Sequence, residues 1–156
     1  MRLVLDTDVL VAGLRSRTGA SRILLLAIDA GVIQALISPA VALEYEAVLT
    51  RSEQLMAMRL TPAAIDAYLG EFVARAEWVL PYYDYGGRII DPNDDKFVTT
   101  AMNGNADGIV TFNVRDYVPR DHRATGLGIT VSRPGDILRR LSWRPSATSP
   151  SGSLLH

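Results

Sequence analysis

The chain has no cysteine, so disulfides, thiolate zinc sites and cysteine nucleophiles are all excluded. Histidine is nearly as scarce. His122 lies between Asp121 and Arg123 and His156 ends a Ser- and Pro-rich tail, so neither suits a general base. Lys96 is the only lysine, which leaves nearly all positive charge on arginine. The planar arginine fork can hold two phosphate oxygens at once. No apolar run approaches bilayer-spanning length, and Met1-Arg2-Leu3 enters a strand directly instead of a secretory leader, so a cytoplasmic, non-membrane protein is expected. A net charge of -1 argues against nonspecific coating of nucleic acid, yet allows a basic rim around an acidic cleft. With 156 residues, 48% hydrophobic and 21% charged, the composition is that of an ordinary globular protein able to bury one sizeable core.

Apolar strand-like runs fall at 3–5, 32–37, 109–111 and 128–131, with helical stretches between them. Such alternation predicts an α/β fold: a central, mostly parallel sheet of four to five strands flanked by helices. The 20–30 segment is apolar nearly all round, which predicts a helix deeply buried or shared with a partner subunit. Ser38-Pro39 and Thr61-Pro62 are helix starts with a capping hydroxyl and an N1 proline. They open helices to about 50 and 76, the second belonging to a helical hairpin inserted between sheet elements. Residues 82–87 form a turn-rich connector, and Asp91-Pro92-Asn93-Asp94-Asp95 announces a further helix with acids where the macrodipole favours them. A last short helix is expected at 137–141. The domain is expected over 1–142, with 143–156 a flexible or loosely docked tail.

Four acids stand where such a fold could bring them together. Asp6 follows the buried-looking run Leu3-Val4-Leu5, at the carboxyl end of a strand, where open parallel sheets keep their ligands. Alone it reads as a helix cap, a role Asp8 fits better. Glu44 lies about 40° from Val48 on a helical projection, at the margin of the apolar stripe formed by Val41, Tyr45, Val48 and Leu49. A carboxylate beside a core face needs a partner or a cation. Asp94 and Asp95 share one helix start, and helical phase does not separate them. Asp116 follows the strand 109–111, just as Asp6 follows the first. Were these carboxylates to converge at about 5 Å, each pair would repel by roughly 3 kcal/mol at an effective dielectric of 20. A bound cation, an inserted arginine or a raised pKa must relieve that repulsion. All-oxygen ligation favours Mg²⁺ or Mn²⁺, and two such ions about 4 Å apart suit attack of water on a phosphodiester.

Four segments, in order and in register, resemble the PIN domain family: Leu3-Val4-Leu5-Asp6-Thr7-Asp8-Val9-Leu10, the helix from Ser38-Pro39 through Glu44 to Leu49, Asp91-Pro92-Asn93-Asp94-Asp95-Lys96-Phe97, and Ala106-Asp107-Gly108-Ile109-Val110-Thr111-Phe112-Asn113-Val114-Arg115-Asp116-Tyr117. The resemblance implies a single PIN-like domain and an endoribonuclease using one or two Mg²⁺ or Mn²⁺ ions, the VapC-like toxin of a bacterial toxin–antitoxin pair. It implies a cognate antitoxin as partner and RNA as substrate; the apolar 20–30 helix adds the expectation of a homodimer or antitoxin surface. It places catalysis and metal binding on Asp6, Glu44, Asp95 and Asp116. The spacing from the acid to Thr111 is what selects Asp95, and Asp8, Asp94 and Asn113 are secondary candidates. Asp8 stands where the family commonly has Asn. An acid is common at the Asn113 position, which makes Asp116 a ligand either directly or through water. Arg15, Arg17 and Arg115 are candidate contacts to RNA phosphates.

Two other readings fit parts of the chain. Asp6-Thr7-Asp8-Val9-Leu10 fits the Asp-x-Asp motif of haloacid-dehalogenase-type phosphatases, with Asp6 as nucleophile and Asp8 as acid/base. That chemistry needs a lysine ahead of its late acids, whereas Lys96 follows Asp91, Asp94 and Asp95. The departures at Asp8 and Asn113 also admit a catalytically inactive PIN-like binding module.

Overall fold

The computed structural model describes residues 1–117 and 128–146. Five parallel strands form one sheet in the order β3-β2-β1-β4-β5. They are β1 (Arg2–Leu5), β2 (Gln34–Ile37), β3 (Glu77–Trp78), β4 (Gly108–Val110) and β5 (Thr130–Ser132). Helices α1 (Thr7–Arg15) and α2 (Ala20–Asp29) connect β1 to β2. After β2 come α3 (Pro39–Leu49), α4 (Ser52–Met58) and α5 (Pro62–Arg75); α6 (Asp95–Asn103) leads into β4 and α7 (Pro134–Arg140) follows β5. The expected α/β sheet is therefore present. The two helices expected between sheet elements are α4 and α5, which each pack on α3 instead of forming a hairpin with one another. The two-residue strand β3 was not anticipated, being too short to carry a period.

β1 is central, and its side chains Leu3, Val4 and Leu5 are fully buried. Each contributes about 1.5–3 kcal/mol by leaving water. Leu3 pairs in register with both Ala35 and Gly108, and Leu5 with Val110. Gly108 has no room for a side chain, since an added Cβ would lie 2.8 Å from the Thr130 carbonyl oxygen on β5. From β1 the chain builds outward to β2 and β3, then returns to the other side for β4 and β5. The strand order thus reverses between β1 and β4. At such a point neighbouring loops diverge and leave a crevice at the carboxyl edge.

The apolar helix α2 is covered by its own chain. It buries Ser21, Leu24, Leu25, Ala27 and Ile28 against α1, α5 and α7, leaving Ile23 and Leu26 half-buried. Ser38 caps α3 by accepting the Val41 N–H, and Thr61 caps α5 by accepting the Ala64 N–H, as their positions before proline predict. Trp143, at the start of the expected tail, packs on the core. Residues 118–127, with His122, and the rest of that tail from 147, with His156, lie outside the described residues. No helix among the described residues is long and apolar enough to cross a membrane.

Candidate metal centre

Asp6 is the first residue beyond β1 and precedes α1. Its N–H continues the sheet ladder by donating to the Val110 carbonyl at 2.9 Å. Its side chain is buried. Oδ2 accepts hydrogen bonds from Thr111 Oγ1 at 2.8 Å and from the Tyr117 hydroxyl at 3.0 Å. Burial raises its pKa, and these two hydrogen bonds, with the Thr7 and Asp8 N–H groups, oppose the rise. The Leu5 carbonyl just before it is held by the buried Tyr45 hydroxyl at 2.5 Å. The carboxylate therefore sits on a fixed backbone with its orientation set by two neighbours.

Asp8, in the first turn of α1, is pushed up to about 6, first by burial and then by the charge of Asp6. Its Oδ1 is buried with no hydrogen-bond partner, while Oδ2 accepts weakly from Asn113 Nδ2 at 3.4 Å. Asn113 is itself anchored, donating its N–H to Thr111 Oγ1 at 3.0 Å.

The remaining acids come from the two turns facing this edge. Asp91, Asp94 and Asp116 are half-buried and offer carboxylate oxygens that all lie within 4.8 Å of one another. Asp94 closes a short 3₁₀ turn, Pro92–Asp94, immediately ahead of α6, and Asp116 sits in a second such turn, Val114–Tyr117. The turns are joined by a 3.4 Å hydrogen bond from the Asp91 N–H to the Asp116 carbonyl. Asp94 is pushed up to about 7, by burial and then by the charges of Asp6, Asp91 and Asp116, with Lys96 opposing. Asp94 thus carries the electrostatic link between Asp6 and the other acids.

Asp95 is placed differently. Its Oδ2 accepts the Gly87 N–H at 2.7 Å, tying it to the 82–88 loop, while its Oδ1 is buried with no hydrogen-bond partner. The sequence expectation named Asp95; the structure brings Asp94 to the acidic group in its place. The 3₁₀ turn ends at Asp94 and α6 begins at Asp95; Asp94 joins Asp91 and Asp116, and Asp95 meets the Gly87 N–H. Glu44 lies near Asp6 but has both oxygens engaged. Oε1 accepts from Thr7 Oγ1 at 3.0 Å, and Oε2 is paired with Lys96 Nζ, which also donates to the Asn93 carbonyl. The salt-bridge partner is the chain's single lysine. Asp91, Thr111 and Tyr117 were not singled out in the sequence. A signal for Asp91 existed, since it stands three residues before Asp94, one turn apart at a helix entry.

Beside Asp6 and Asp8 runs an open groove of about 430 Å³, lined also by Thr7, Arg15, Val48, Gln54 and Phe112. Arg15 stands at its rim and is exposed; Arg17, in the α1–α2 connection, and Arg115, beside Asp116, are exposed as well. The donor set suits a hard divalent cation: carboxylate oxygens gathered within one ion's reach, a buried Asp8 oxygen without a partner, and Asp8 and Asp94 pushed up by burial and by neighbouring acids.

An acidic crevice at the switch point of a parallel sheet defines the class, an α/β domain with carboxylates gathered at the carboxyl edge. The PIN domain family profile matches residues 2–115, and the chain belongs to that family. PIN domains are generally metal-dependent nucleases, so the phosphatase alternative falls away. No curated protein and no solved structure matches the chain significantly.

Proposed function

We propose that the protein is an endoribonuclease that uses Mg²⁺ or Mn²⁺ to hydrolyse RNA phosphodiesters. The observation that carries this reading is the meeting of Asp91, Asp94 and Asp116 beside the buried Asp6 at one sheet edge. Asp6, Asp94 and Asp116 would hold the cation, with Asp91 and Asp8 completing the negative field around it. Glu44 joins them only when Lys96 releases it. A divalent ion bound there supplies an activated water and neutralises charge growing on the phosphate. Thr111 and Tyr117 keep Asp6 oriented and ionised by donating to it, and Asn113 steadies Asp8. Arg15 at the groove rim is placed to attract the RNA backbone, and Arg17 and Arg115 extend that positive rim.

Within this reading the protein acts as a VapC-like toxin held in check by a small antitoxin, and it works as a homodimer. An exposed apolar strip supports association with another chain: Leu43 and Trp78 flank a groove between α3 and α5, rimmed by Glu46 and Asp66. The test is cleavage of a mixed RNA pool by the purified chain with Mn²⁺. Loss of cleavage on adding EDTA and in Asp6→Asn supports the nuclease. A folded, Mn²⁺-supplied protein that leaves RNA intact would instead be a binding module.

A further inference from the structure

The loop from 82 to 88 has almost no regular structure, yet its backbone is fastened at several points to one face of α6. Asn103 Oδ1 accepts the N–H groups of Tyr82 and Tyr83 at 3.1 and 3.2 Å, and its Nδ2 returns a 2.7 Å bond to the Tyr83 carbonyl. Thr99 Oγ1 accepts the Tyr85 N–H at 3.2 Å, and Asp95 Oδ2 the Gly87 N–H at 2.7 Å. Asp95, Thr99 and Asn103 are spaced four apart, so they form a single row along the helix. The acid within the loop, Asp84, turns back on the Gly86 N–H at 2.8 Å.

With its backbone so occupied, the loop presents flat rings. Tyr82 is 85% exposed and Tyr83 55%. The half-buried Tyr85 packs on the core, with the Tyr83 ring 4.8 Å away and tilted by 58° and the Arg88 guanidinium 5.1 Å from its centre. Ile89 then plunges into the core, and Asp91 of the acidic group follows two residues later. Arg88 and Asp91, three residues apart, are separated by at most about 11 Å of chain. An anchored loop holding exposed aromatics and a cation next to a phosphodiester-cleaving centre suits unpaired bases, whose faces stack on any flat ring.

We propose that Tyr82 and Tyr83, backed by Tyr85 and Arg88, form a stacking platform for unpaired nucleobases of single-stranded RNA, holding the strand as it enters the acidic crevice. This rests on the nuclease reading and adds to it a substrate form. Asp95 and Asn103 act as positioning residues for the platform, while Leu80 and Ile90 are exposed at its two ends.

The test measures binding of a fluorescently labelled single-stranded oligoribonucleotide to the full chain carrying Asp6→Asn, so that cleavage does not interfere. Adding Tyr82→Ala with Tyr83→Ala should weaken binding roughly tenfold or more. The paired phenylalanine variants should stay near the parent, whereas paired leucines, apolar but not planar, should fall with the alanines. A duplex of the same sequence should bind much less tightly. Circular dichroism verifies that each variant is folded. Unchanged affinity in the alanine pair, full binding by the leucine pair, equal binding of duplex, or no binding of single strands by the Asp6→Asn parent would each overturn the platform. If the alanine pair, with Asp6 retained, cleaves RNA with the same KM as the wild type, the platform alone is lost. Tyrosine-dependent binding without any metal-dependent cleavage sinks the nuclease reading alone.

Discussion

Thr111 Oγ1 donates a 2.8 Å hydrogen bond to Asp6 Oδ2, joining residues 105 positions apart. Each is the first residue beyond one of two adjacent parallel strands, β1 and β4. Pairing of Leu5 with Val110 leaves the next residue of each strand side by side, so the bond follows from register. Thr111 is fully buried, and its hydroxyl also accepts the Asn113 N–H. One side chain therefore orients the central acid and the turn that leads to Asp116.

Neighbouring acids should separate sharply on substitution. Asp94→Asn is expected to lower RNA cleavage on the order of a hundredfold and to weaken Mn²⁺ binding measured by calorimetry. Asp95→Asn should leave Mn²⁺ binding close to wild type, because its carboxylate serves the Gly87 N–H. Equal loss of Mn²⁺ binding in the two variants would contradict the placement.

Tyr117→Phe removes one of two side-chain donors to the buried Asp6. Burial then raises the Asp6 pKa further, since a bond favouring the ionised form is gone. Stability at pH 7 should fall by about 1.5–3 kcal/mol, and the acid limb of the cleavage rate should move to higher pH. Denaturant titration and a pH–rate profile measure the two effects. An unchanged profile would mean that the hydroxyl does not tune Asp6.

Lys96→Met strands Glu44, whose other oxygen is held only by Thr7. Both side chains of the ion pair are 26% exposed, so solvent screens part of its strength, and a loss of about 1 kcal/mol is expected. Glu44→Gln in the same background should restore part of it. Independent, additive effects in the double-mutant cycle would dismiss the pair as a structural clasp.

Stability of the metal-free protein should fall as pH rises from about 4 to about 7. The sign follows from Asp8, pushed up to about 6, and Asp94, pushed up to about 7, from an ordinary value of 3.8. A raised carboxylate pKa means that the folded state holds more protons than the unfolded state across that window, so folding is penalised as the protons leave. Thermal melts in EDTA at successive pH values should show the decline, and Asp94→Asn should flatten it. Mn²⁺ should raise the melting temperature most at the upper end, where the carboxylates are ionised. A Mn²⁺ effect independent of pH would count against these acids as its ligands.

Much of the architecture is legible locally. The continuous run Leu3-Val4-Leu5 reads as a strand buried on both faces, and Ser38-Pro39 and Thr61-Pro62 mark helix starts that the structure reproduces. The apolar helix at 20–30 was legible as buried, but the choice between self-covering and partner-covering was not. α7 lies against it from more than a hundred residues away, so no local window contains the answer. The strand β3 escaped for the opposite reason: its two residues pair with Leu36 and Ile37 and have no pattern of their own.

By itself the sequence determined that carboxylates would follow the strands, because that is a property of local order: apolar run first, acid next. It also excluded thiolate chemistry, since the chain has no cysteine. Tertiary structure alone decided which acids meet. Asp94 and Asp95 are adjacent and chemically equal, and only the turn that ends between them sends one to Asp6 and the other to the tyrosine loop. Likewise Glu44 is a half-buried acid on any helical projection, but its engagement with Lys96 depends on α3 and α6 meeting at the sheet edge. Electrostatic interaction acts through distance in space, and distance along the chain does not set it.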